Sequence, residues 1–247
     1  MDKLIYTAMT GAKQAMARQD TLSHNLANAN TAGFRADTTA FRAVPIRGAG
    51  EGTRVFTLET MPGVDLSSGP IQHTGRELDV ALTDNGFLAV QARDGGEAYT
   101  RAGALEVDAN GMLQTRGGLL VIGDGGPITI PQDSRIAIAR DGTISASPLT
   151  GAQNGATVVG RLKLVNVSET EMVKGGDGLL RTRSGDPLPM DESIGLSSGS
   201  LEGSNVNVVE AMIGMIAVAR QFDMQMKILQ TAEADARAAA QLLNMNG

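Results

Sequence analysis

The chain has 247 residues, with 27 acidic and 21 basic side chains, two histidines and a formal net charge of -6, and it contains no cysteine and no tryptophan. That excludes disulfides, thiolate metal sites and a cysteine nucleophile, and two histidines cannot build a three-histidine metal centre. The acidic balance argues against nucleic acid as a partner, and with aromatics at 3% any core must be built from Ala, Val, Ile, Leu and Met.

The first residues, Met1-Asp2-Lys3, lead into a mixed stretch carrying Lys13, Arg18 and Asp20 rather than the apolar run a cleaved leader requires. A seam at 3-4 spacing then runs through Ile5, Ala8, Ala12, Ala15, Gln19, Leu22, Leu26 and Ala29, apolar at every position but Gln19. This spacing predicts a helix packing along another helix. Asn28, Asn30 and Gly33 supply the chemistry that stops it.

Residues 35–75 carry scattered Pro, Gly and Thr and read as an extended connector. Beyond them the texture is of period 2: Leu78, Val80 and Leu82; Leu88, Val90 and Ala92; Leu105 and Val107; Ile136 and Ile138; Leu162 and Leu164. Turn signals at Asp94-Gly95-Gly96, Asn110-Gly111, Asp124-Gly125-Gly126 and Asp141-Gly142 separate them, the pattern of a hairpin meander. Residues 146–157 and 184–200, rich in Ser, Gly and Pro, read as long loops.

The end of the chain repeats the helical pattern. Val208, Met212, Met215, Ala219, Phe222, Met226 and Leu229 fall on one 4-3 seam, broken at Glu233, and Val209, Ile213 and Ile216 widen it. Asn207 with Glu210 three residues later marks the entry as a capping pair. The longest greasy run, 212–219, is far short of the ~20 residues that span a bilayer, so no membrane insertion is expected.

Two apolar seams at opposite ends of one chain each need a partner. The expected fold is therefore α+β: long N- and C-terminal helices paired as a coiled-coil stalk, with a central all-β domain of antiparallel hairpins inserted between them. The divisions are 1–34 for the first stalk helix, 35–75 for the connector, 76–199 for the β domain and 200–247 for the second stalk helix. Alanine buries little area, so one such pair is marginal while many stacked copies are stable.

Sites for chemistry are few. Gly195-Leu196-Ser197-Ser198-Gly199 fits G-x-S-x-G, but a hydrolase elbow needs a later His and none follows His73. His24 reads as a surface pair with Asp20, one helical turn away. Asp108-Ala109-Asn110-Gly111 is a fragment of a calcium loop without its full ligand set. Nothing matches a phosphate-binding loop, and the remaining charges read as solvated surface. No catalytic, cofactor or metal residue is assigned.

At Asn25-Leu26-Ala27-Asn28-Ala29-Asn30-Thr31-Ala32-Gly33-Phe34-Arg35 the sequence resembles the N-terminal signature of bacterial flagellar rod and hook proteins, N-N-L-A-N-x-x-T-x-G-[FY]-[KR]. Asn25, Leu26, Ala27, Asn28, Thr31, Gly33, Phe34 and Arg35 match; His24 replaces the first Asn, and Ala32 stands where Pro is frequent. The motifs Asn85-Gly86-Phe87-Leu88-Ala89-Val90 and Tyr99-Thr100-Arg101-Ala102-Gly103 are similar to the family's central β motif. Gly199-Ser200-Leu201-Glu202-Gly203-Ser204-Asn205-Val206-Asn207 and Arg220-Gln221-Phe222-Asp223-Met224-Gln225-Met226-Lys227 resemble its C-terminal signature.

The resemblance, closest to the proximal-rod members, implies a structural protein without enzyme activity or cofactor. It implies export through the flagellar type III apparatus without a cleaved signal peptide, and helical polymerisation into the basal-body rod that crosses the periplasm and carries torque. Its partners would be proximal and distal rod subunits and copies of itself. The assembly interface would be the two seams, Ile5, Ala8, Ala12, Ala15, Leu22 and Leu26 with Val208, Met212, Met215, Ala219, Phe222, Met226 and Leu229. The turn 28–34 would set the exit from stalk to connector. A distal-rod or hook-type paralogue is the near alternative. A secreted β-domain hydrolase or adhesin with an oligomerisation stalk, or a cytoplasmic helical regulator or chaperone, are alternatives of other classes.

Overall fold

Two helices enclose a series of short strands in chain order. A computed structural model describes residues 2–45, 55–59, 63–83, 85–149, 155–168 and 171–244. Helix α1 spans Asp2–Ala27 and helix α2 spans Val208–Asn244. The strand pairings between them are antiparallel, which makes the fold α+β. The chain forms two compact units: Met1–Ala27 with Asp37–Gly63 and Asn207–Gly247, and Asn28–Ala36 with Val64–Val206.

In the helical unit α1 packs on α2, and strand Val55–Glu59 lies against α1. That strand pairs with Phe41–Pro45 in the register Phe41↔Glu59 to Pro45↔Val55. A hairpin thus stands inside the segment 35–75, which the sequence presents as an extended connector; residues 46–54 and 60–62 lie outside the described residues. The hairpin escapes sequence reading because its strands are not joined by a tight two-residue turn. Helix α2 starts where the capping pair predicts: Asn207 Oδ1 accepts hydrogen bonds from the backbone N–H of Val209 (3.1 Å) and Glu210 (3.3 Å).

In the β unit the largest sheet runs Met172–Lys174, Leu180–Thr182, Glu97–Thr100, Gly86–Gln91, Leu120–Gly123, Leu113–Thr115 and Leu105–Val107, with Leu164–Asn166 also pairing with Gly86–Gln91. Gly86–Gln91 is central, and its pleat sends successive side chains to opposite faces. Leu88 and Val90 join one cluster with Leu105, Leu113, Ile144 and Leu162, while Phe87 and Ala89 join a second with Tyr99, Val165 and Leu180. The alternation of Leu88, Val90 and Ala92 suggests one buried face; both are buried, because the chain returns to cover the second.

A three-stranded sheet, Ser134–Ile138, Thr143–Pro148 and Thr157–Arg161, adds Ile136, Ile138 and Ile144 to the first cluster. Of the loop expected at 146–157, residues 150–154 lie outside the described residues. The loop expected at 184–200 ends in two strands. Leu196–Ser198 pairs with Val80–Leu82, and Ser200–Glu202 pairs with Ile71–His73. Distant partners, not local propensity, make these Ser- and Gly-rich residues extended.

Candidate assembly interface

Small residues bring the two helices together. A Cβ added at Gly214 would stand 3.2 Å from Leu22 Cδ1, and one added at Gly11 would stand 3.0 Å from the Gln225 side chain. These two contacts run in opposite chain directions, so α1 and α2 are antiparallel. On α1, Ala8, Ala12 and Ala15 are buried and Ile5, Leu22 and Leu26 half-buried. On α2, among the described residues, Ala211, Val218 and Ala232 are buried, interleaved with half-buried Met215, Phe222, Gln225 and Leu229. Their spacing is again 4-3, but the stripe is turned from the one read in the sequence.

Met215, Phe222 and Leu229 belong to both stripes, while Val208, Met212, Ala219 and Met226 are exposed. The physical reason is that α2 is apolar over much more than one stripe, so periodicity admits several seams. Close approach against Ala8, Ala12 and Ala15 then selects the one with small residues, Ala211 and Ala232 among them. Another face of α2 stays open: Val209 is 65% and Ile213 63% exposed, with Met212, Ile216 and Met224 also exposed. On α1, Tyr6, Met9 and Met16 are exposed. If the antiparallel register is extended, the start of α1 stands level with about residue 234 of α2. The last ten or so residues of α2, roughly 15 Å, run past it.

The signature turn follows α1. Thr31 N–H donates to the Asn28 carbonyl (3.1 Å), Thr31 Oγ1 to Asn28 Oδ1 (3.2 Å) and Phe34 N–H to the Thr31 carbonyl (3.2 Å). Gly33 has φ 71°, and a Cβ there would collide with the Arg101 carbonyl, so glycine is required twice over. Asn25, buried near the end of α1, donates from Nδ2 to the Asp37 carbonyl (2.9 Å) and accepts from Asp37 N–H at Oδ1 (2.8 Å). It therefore fastens α1 to the residue where the chain re-enters the helical unit. His24 Nδ1 lies 2.7 Å from Asp37 Oδ2, a partner that the one-turn pairing with Asp20 does not foresee. Leu26 is half-buried and Ala27 exposed; Phe34 is half-buried with Lys174 Nζ 4.2 Å from its ring centroid.

Catalytic geometry is not assembled at the G-x-S-x-G segment. Ser197 lies exposed on strand Leu196–Ser198 opposite Ala81, and a second strand follows where an elbow needs a helix. Ser200 Oγ stands 3.4 Å from His73 Nδ1, a long contact. Asp108 Oδ1 accepts hydrogen bonds from Met112 N–H (2.7 Å) and Asn110 N–H (2.8 Å), so its carboxylate holds a turn. Those donors, Met112 foremost, keep its pKa below the usual carboxylate range. Among the described residues no group of three or more His, Asp or Glu could hold a metal ion, and no helix is long and apolar enough to cross a membrane.

The reading of the charges as solvated surface fails at Arg35, Arg101 and Glu202, which are buried together in the β unit. Arg35 and Glu202 stand in the terminal signature segments, and their proximity across the chain has no local signal. Asn205, in the same segment as Glu202, was likewise silent, yet its amide joins Ala36, Asp65 and Ser67.

Comparison with known proteins places the chain in a family. Three family models match: flagella basal body rod protein over residues 5–35, flagellar hook protein FlgE/F/G D1 domain over 81–146, and flagellar basal body rod FlgEFG protein C-terminal over 197–242. The flagellar basal-body rod protein FlgF of Salmonella typhimurium is 47% identical and that of Escherichia coli 46% identical, each across the full length of both chains. The rod protein FlgG of Bacillus subtilis is 31% identical over 94% of this chain and 96% of its own. With the N-terminal turn, the β region and the C-terminal helix all matched in order, the chain belongs to the FlgEFG family of flagellar basal-body rod and hook proteins.

Proposed function

We propose that this chain is a structural subunit of the proximal part of the bacterial flagellar basal-body rod, built into the shaft through its terminal helices. The carrying observation is α2 itself. A helix apolar around most of its circumference is stable only when covered on more than one side, and α1 covers one. Val209, Met212, Ile213 and Ile216 remain for neighbours. Contiguous exposed apolar surface of this kind marks a partner surface.

The proximal assignment is supported by the two FlgF proteins that are 46–47% identical over the full length of both chains. Pairing of α1 and α2 as a short coiled coil is supported by the 4-3 spacing of the buried residues and by their antiparallel contacts. The neighbours are other proximal- and distal-rod subunits and further copies of this chain. Residues Ile5, Leu22, Leu26, Met215, Phe222 and Leu229 support the inner helix pair, and Val208, Met212, Ala219 and Met226 the outward contacts. Export through the flagellar type III apparatus without a cleaved leader, and placement across the periplasm, rest on kinship with basal-body rod proteins. Relatives of this kind are structural, and the chain is not an enzyme.

The test is Ile213→Asp in a strain lacking its own copy. Because Ile213 is exposed, the monomer should lose no more than about 0.5 kcal/mol of stability. A charge on a desolvated contact should nevertheless abolish incorporation into basal bodies and swimming. Normal swimming with the variant present in purified basal bodies would refute the reading.

A further inference from the structure

We infer that the buried Arg35–Glu202–Arg101 cluster is a lock that makes the seating of the segment following α1 conditional on the segment preceding α2. Glu202 is 2% exposed. Its Oε1 accepts hydrogen bonds from Arg35 Nη2 (2.6 Å) and Gly69 N–H (2.8 Å), and its Oε2 lies 3.1 Å from Arg101 Nη1. The Glu202 carbonyl accepts from Gly33 N–H (2.8 Å). Three residues on, Asn205 Oδ1 accepts from Ala36 N–H (2.8 Å), while its Nδ2 donates to the carbonyls of Asp65 (3.0 Å) and Ser67 (3.1 Å). Segments 33–36, 65–69 and 202–205 are thus tied together around one carboxylate, all within the β unit.

Two guanidinium groups share the Glu202 carboxylate at sites 1–3% exposed. Taking a charge from water is costly, and only a close counter-charge with further hydrogen bonds compensates it. An apolar contact weakens in proportion to the area lost. A buried charge whose partner is removed is instead driven back to water.

The two arginines are not held equally. Arg101 also donates to the Leu82 carbonyl (2.8 Å), and its guanidinium lies 5.1 Å from the Phe87 ring centroid. Arg35 has Glu202, while its Nε and Nη1 are buried without a hydrogen-bond partner among the described residues. Loss of the Glu202 charge therefore ejects Arg35, and with it residues 28–36, while Arg101 and the strand Glu97–Thr100 before it stay in place. A chain whose C-terminal segment is missing or displaced cannot keep its N-terminal turn seated, although the strands of the β core remain closed.

The lock acts within the isolated chain and stands apart from rod assembly. Its test is hydrogen exchange with peptide-level mass spectrometry on the full-length monomer carrying Glu202→Gln. Exchange at 28–36 should accelerate on the order of a hundredfold. Trypsin should gain a cut after Arg35, and 86–91 and 97–101 should exchange as in the unaltered chain. Unchanged protection at 28–36, or equal opening at 97–101, would overturn the lock. The double variant Arg35→Met with Glu202→Gln removes the ejected charge along with its partner and should return 28–36 toward the original exchange rate. A double variant as open as the single one would show that charge is not what holds the turn, and it keeps the test decisive if Glu202→Gln alone folds poorly.

Discussion

Tyr99 shows how much one side chain depends on its surroundings. It is almost fully buried between Phe87, Val165 and Leu180, and its hydroxyl oxygen accepts the Leu188 N–H at 2.6 Å. Burial, reinforced by the nearby Glu97 carboxylate and opposed by the Leu188 hydrogen bond, pushes its pKa up from 10 to about 12. A group whose pKa is raised on folding stabilises the native state fully below its unfolded pKa. That contribution is lost as pH rises through the folded one. Urea unfolding should therefore show stability falling from about pH 10 to about 12, with a shallower fall in Tyr99→Phe. Removing the hydroxyl also leaves Leu188 N–H unpaired, so the variant should be about 1–3 kcal/mol weaker at neutral pH. An identical alkaline slope in both proteins would show that Tyr99 does not ionise with unfolding. At the same scale, Gly33 and Asn25 explain the signature turn: one is the residue that fits against the Arg101 carbonyl, the other a clamp on both polar groups of the Asp37 backbone.

Among the elements, the helices are held less firmly than the sheet, and their side chains say why. Burying Ala8, Ala12 and Ala15 removes little more than a methyl group each, about 0.8 kcal/mol apiece, whereas Leu88, Leu105 and Leu113 in the sheet core are worth about 1.5–3 each. The start of α2 relies on its cap. Asn207→Ala would strip the acceptor from Val209 N–H and Glu210 N–H and should cost about 1 kcal/mol. The loss should appear as faster exchange at 209–212, with strand Gly86–Gln91 unaffected. Unaltered exchange there would mean that packing against α1, not the cap, fixes where α2 begins. Both helices were legible from spacing alone, and the hairpin strands from alternation and turns. The hairpin Phe41–Pro45 with Val55–Glu59 was not, and neither was the rotation of the buried stripe on α2. Each depends on a partner that no window of sequence contains.

For the whole molecule, the division into two units means that the chain passes between them at 27/28, 36/37, 63/64 and 206/207. Neither unit is continuous in sequence, so the helical unit closes only when α2 meets α1. In the isolated monomer, exchange should be slowest at Gly86–Gln91, intermediate at 211–232 of α2, and fastest among helical residues at 235–244, which run past α1. Assembly into basal bodies should slow the last group most. If 235–244 were already as protected as Gly86–Gln91 in a proven monomer, the helices would need no neighbours. By itself, the sequence determined the helix–sheet–helix order, the absence of thiol chemistry and the family signature, because local periodicity, composition and motif residues are written in neighbouring letters. The tertiary structure alone decided which stripe of α2 turns inward, that Arg35 and Arg101 are buried on Glu202, and that part of the supposed connector is a hairpin. These outcomes depend on small residues permitting close approach and on charges from distant segments meeting away from water.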